Sequence, residues 1–162
     1  MSSDHGSPKA AKSTRLLPFF EAAVVVPTLG GLTLAIARDG IKADLLPLVG
    51  WILIIALVEL IPVPVWRGVH ISMGFPLMMV VAFMYEPQAA AATALLAASD
   101  PREFKREVGL LRALFNRCQV ALAVGSASLI FHELANLDTS SPAQLIGAAG
   151  LASIADYVVN TT

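Results

Sequence analysis

Cysteine occurs once in these 162 residues, at Cys118, so no internal disulfide can form and the thiol reads as a small packed side chain. Charge is scarce as well. Asp, Glu, Lys and Arg make up 14% of the chain, against about 25% in an ordinary soluble domain. The hydrophobic share is 56% and mean hydropathy is +0.71, which is a bilayer composition. With a net charge of −1 there is no global basic field to hold nucleic acid. No HExxH, HxxxH or CxxC spacing occurs, and no Gly-rich phosphate loop ends in Lys-Ser or Lys-Thr, so neither a metal site nor a cofactor is expected. Ser72, in ISMGF, has no GxSxG frame and no evident base. Enzymatic activity is therefore not expected.

What the chain does have is long apolar runs. A helix needs about 20 apolar residues to cross the hydrocarbon core, and 16–37, 45–65, 115–135 and 143–162 meet or approach that length. The first run follows Lys9, Lys12 and Arg15 and ends on an Ala-x-Ala look-alike at Ala35 to Ala37, in the manner of a signal peptide. Glu21, Pro27, Gly30 and Gly31 inside it, and its length, favour an uncleaved first helix. Residues 1–13 are small and polar and read as a disordered cytoplasmic tail ahead of a membrane domain over 14–162.

Between the second and third long runs lie two shorter apolar segments, 72–85 and 88–99, separated by Glu86 and Pro87. Each is short for a lipid-facing span, so the pair either crosses where protein covers it or re-enters as a buried hairpin. Alanine dominates the second, which favours close helix packing. The expected fold is thus all-α: a polytopic helical membrane bundle of about six segments.

Lys and Arg divide unequally between alternate loops. Lys9, Lys12, Arg15, Arg67, Arg102, Lys105, Arg106, Arg112 and Arg117 fall on one side, and only Arg38 and Lys42 on the other. The positive-inside rule then puts the N-terminus in the cytoplasm of a multi-pass plasma-membrane protein. The charged stretch 100–114 forms a connector on that side. Asp100 as N-cap, Pro101 at N1 and Glu103 at N3 start a helix. Phe104, Val108, Leu111 and Phe115 share its apolar face, while Arg102, Lys105, Arg106 and Arg112 lie elsewhere. An amphipathic helix running into the fifth membrane segment is expected.

Polar residues inside the spans are candidate intramembrane or ligand-binding groups, because their burial in lipid is costly. Glu21 and Glu59 stand in the first two segments, with Arg67 or His70 as candidate partners of Glu59. Asn116 and Gln119 open the fifth, and Asp156 lies in the last. Helix-to-helix hydrogen bonding is the plainer reading of Asn116, Gln119 and Asp156.

The segments LVELIPVPV, VHISMGFPLMMVVAF, the alanine-rich helix ending in ASDP, RALFNRCQVALA and the closing ADYVVNTT resemble the N-terminal multi-helix membrane sensor regions of actinobacterial HD-GYP and GGDEF signalling proteins. The resemblance covers about residues 45–162. It implies a bacterial membrane sensor or anchoring module that relays to a cytoplasmic signalling partner or to a homo-oligomer. In such proteins the last helix runs on into an output domain, whereas this chain stops at NTT, so a sensor without its effector is expected. Related layouts occur in substrate-binding subunits of vitamin-type transporters, which makes small-molecule transport the alternative.

Overall fold

The computed structural model describes residues 9–61, 63–66, 69–71, 74–99, 103 and 108–161. Among these, six helices form a bundle: α1 (Lys9–Asp39), α2 (Leu45–Glu59), α3 (Gly74–Met84), α4 (Pro87–Ala97), α5 (Leu110–Leu134) and α6 (Pro142–Thr161). A small antiparallel hairpin, β1 (Val63–Trp66) and β2 (Val69–Ile71), joins α2 to α3, with Val63 opposite Ile71 and Pro64 opposite His70.

Three helices are long and apolar enough to cross a membrane: α1 from Leu17, α5 and α6. The large side chains on their surfaces face outward, as at Phe19 and Ile146, both 74% exposed. By length and composition this is a membrane protein. At about 1.5 Å per residue α5 is ~37 Å long, whereas α2 is ~22 Å and α3 and α4 are each ~16 Å. Neither α3 nor α4 can cross a hydrocarbon core of about 30 Å alone.

The core sits where α4 and α5 meet. Ala89, Ala90, Ala94 and Ala97 of α4 are fully buried, as are Ala121, Ala123, Val124, Ala127 and Phe131 of α5. Small side chains let the two backbones approach, and lipid supplies no hydrophobic drive that would favour larger ones. Gly125 is a close approach of the two helices: a Cβ there would meet the Ala91 Cβ at 3.1 Å. α5 is the hub, packed against α1, α3, α4 and α6, while Ile55 of α2 and Met78, Met79 and Val81 of α3 complete the core.

Several elements differ from the pattern in the sequence. α1 begins at Lys9, so 9–13 is helical rather than tail; Ala, Lys and Arg favour continuing a helix once a span has nucleated it. α1 also runs through Pro27, at the loss of one backbone bond, with the Thr28 hydroxyl donating to the Val24 carbonyl at 2.7 Å. α2 stops at Glu59 rather than 65, because prolines at 62 and 64 and β-branched valines favour extended chain. The connector is not continuous with the fifth membrane helix. Val108 bends, and Gly109 is extended (ψ 149°) as the N-cap of α5, so Arg112 belongs to α5 itself.

Candidate functional site

Polar contacts gather at the two ends of the bundle. At one end the α3–α4 turn is clasped from both sides. α1 closes on Gly40, whose φ of 70° is the left-handed conformation that ends helices, and the Gly40 amide donates to the Ile36 carbonyl at 2.9 Å. That turn aims the next amides at Glu86. Its Oε1 accepts from the Lys42 amide at 2.6 Å and the Ala43 amide at 3.3 Å. Gln88 Nε2 donates back to the Gly40 carbonyl at 3.1 Å. Glu86 is the N-cap of α4, yet its carboxylate serves the α1–α2 loop instead of its own helix.

On the other side of the same turn, the Tyr85 carbonyl accepts from Ser128 Oγ at 2.7 Å and lies 2.9 Å from His132 Nε2, both on α5. Two acceptor bonds on one carbonyl satisfy both its lone pairs. Ser141 and Gln144 form a capping box at the start of α6 nearby: the Ser141 amide donates to Gln144 Oε1 at 3.1 Å, and the Gln144 amide donates to Ser141 Oγ at 3.4 Å.

The opposite end carries the connector. Arg117, two turns into α5, holds Glu103: its Nη2 donates to Glu103 Oε2 at 2.6 Å and its Nε to the same oxygen at 3.3 Å, with both side chains partly buried. Phe20 of α1 packs on Phe115 of α5 with ring centroids 5.7 Å apart. Gln119 Nε2 donates to the Asn160 carbonyl of α6 at 3.0 Å. Where α2 meets α3, the Glu59 carboxylate occupies the space a Cβ on Gly74 would need, so a side chain at that position would displace the Glu59 carboxylate.

Two acids sit inside the bundle, Glu21 at 7% exposure and Asp156 at 2%. The contacts to α5 set their relative depth. Phe20 lies level with Phe115 and Asn160 with Gln119, and α1 runs parallel to α5 while α6 runs antiparallel. Glu21 is thus level with about residue 116 and Asp156 with about residue 123, a stagger of ~10 Å along the axis. They do not form a carboxylate pair.

Of the candidate residues, Gln119 bridges two helices, Glu59 packs on Gly74, and Asn116 is exposed on α5. His70 is placed in β2. Arg67, Asp100, Arg102, Lys105 and Arg106 lie outside the described residues. Among the described residues, no three His, Cys, Asp or Glu side chains gather to hold a metal.

Sequence reasoning singled out neither the Glu86 clasp nor the Ser128 and His132 pair. The one legible signal was a lone acid before a proline in an apolar stretch, and nothing local shows that its partners are backbone amides about 43 residues away. Comparison with known protein families, with curated proteins and with solved structures gives no match for this chain.

Proposed function

We propose that the chain is a sensing or anchoring module of a bacterial plasma membrane, passing the state of its bundle through α5 to a cytoplasmic partner. The observation that carries this reading is the Arg117–Glu103 pair. It ties the connector to the foot of the one helix against which α1, α3, α4 and α6 all pack. A rearrangement among those helices must move α5 or be resisted by it, and the ion pair makes the connector follow. The distribution of Lys and Arg, with only Arg38 and Lys42 at the clasped end, supports a cytoplasmic connector.

A single cysteine at position 105 tests both parts, since the native Cys118 is buried and Cys118→Ala clears the background. In whole cells, Lys105→Cys should stay unreactive to a membrane-impermeant maleimide until the membrane is opened. In opened cells, releasing the clasp with Glu86→Ala should change the labelling rate severalfold. Labelling in intact cells would overturn the orientation, and an unchanged rate would overturn the relay.

One observation favours transport of a small molecule as a second reading. α3 and α4 are paired helices of 11 residues each, half the length of a span, and transporters commonly build binding sites at the ends of such interrupted helices.

A further inference from the structure

Asp156 has a setting that neither reading above uses. It is 2% exposed, on the inward stripe of α6 with Ala148 and Ala152, and no described residue forms a hydrogen bond or ion pair with it. Its place in α6 is about 7 Å from Thr161 and ~21 Å from Pro142, within the apolar span. α5 is the one helix against which α6 packs extensively, so the seam that buries Asp156 is also the seam that holds α6 in the bundle.

Among the described residues, the titratable groups around that seam leave Asp156 without a partner. On α5, Arg112 is exposed, Arg117 is engaged by Glu103, Cys118 is buried about five residues from the level of Asp156, and His132 and Glu133 stand at the far end. On α6 itself Tyr157 faces outward, 68% exposed. Glu21, on α1, is the other buried acid and is staggered by ~10 Å. The nearest interhelical polar rung among the described residues is the Gln119 bond to the Asn160 carbonyl, one turn nearer the end of α6, and it is already made. The Ser153 hydroxyl is likewise committed, to the Ala149 carbonyl at 2.8 Å.

Among the described residues no fully buried side-chain oxygen or nitrogen lacks a hydrogen-bond partner, so the Asp156 carboxyl reaches the edge of the seam, and once ionised in those apolar surroundings it would need water or a cation beside it. We propose that Asp156 is a proton-binding site of the bundle: the neutral carboxyl keeps α6 seated on α5, and losing the proton loosens α6. The proposal stands on the α5–α6 seam and does not depend on the relay reading.

The test is reaction of the full-length protein, in native membrane vesicles, with the apolar reagent dicyclohexylcarbodiimide. Only a protonated carboxyl adds to it: the acid proton passes to a carbodiimide nitrogen as the carboxyl oxygen bonds to the central carbon. Mass spectrometry of the digested wild-type protein maps the adduct. Labelling of Asp156 should be severalfold greater at about pH 6 than at about pH 9, and Asp156→Asn should lose the adduct. If that variant does not accumulate, the wild-type map decides alone. The proposal is overturned if Asp156 stays unlabelled while another carboxyl reacts, or if its labelling ignores pH. Suppression by sodium or lithium ions at constant pH would also overturn it, by making the ligand a metal cation.

Discussion

Replacing Glu86 by alanine removes the acceptor that joins the α3–α4 turn to the α1–α2 loop. Of its two bonds, the one from the Lys42 amide at 2.6 Å is short and charge-assisted, and the one from Ala43 at 3.3 Å is long enough to add little. Hydrogen bonds to charged groups contribute about 1.5–3 kcal/mol, and the exposed setting of Lys42 puts this one at the low end. A loss of about 1.5 kcal/mol is roughly a tenfold change in the opening equilibrium of that contact. Amide hydrogen exchange in detergent micelles reads it directly, because the Lys42 and Ala43 amides are the donors. Both should exchange faster in Glu86→Ala, with Lys42 accelerated about tenfold. Glu86→Gln keeps an acceptor oxygen and loses only the charge, so it should cost about 0.5 kcal/mol and have a smaller effect. Unchanged exchange at Lys42 in Glu86→Ala, with the rest of the bundle intact, would refute the clasp.

Gly125→Leu should destabilise the α4–α5 seam by about 1–3 kcal/mol, because even its Cβ falls 3.1 Å from Ala91 and the remaining carbons have no room. Gly147→Leu, at a glycine with open space around it, should be neutral or slightly stabilising in the same unfolding titration with denaturing detergent, because leucine favours helix over glycine; an equal loss at both positions would mean that the close contact with Ala91 is not what decides. A double-mutant cycle with Glu103→Gln and Arg117→Gln should return a coupling of about 1 kcal/mol, since both side chains are largely shielded. A coupling indistinguishable from zero would detach the connector from α5.

An all-α membrane bundle was legible because composition and run length dictate it. In lipid a backbone must satisfy its own polar groups, and runs of about 20 apolar residues do so as helices. The break at Glu86 and Pro87 was legible for the same local reason, since proline suits the first turn of a helix and an acid is uncommon in an apolar run. Alanine in α4 announced close packing, although which residues meet, as Ala91 and Gly125 do, waited for the tertiary structure.

Other features have no local cause. α2 gives way to a hairpin over Val63–Trp66 and Val69–Ile71 because proline and β-branched residues compete with an apolar run, and hydropathy alone does not show which wins. Apolarity marked four runs that meet or approach span length, and the structure makes three of them helices long enough to cross a membrane. The partners of Glu86, Ser128 and Arg117 and the burial of Asp156 were decided by which helix faces meet. A helix carries its apolar residues almost all round when lipid surrounds it, so periodicity no longer marks the inward face. Only packing, through the fit of small residues and the pairing of buried polar groups, selects that face.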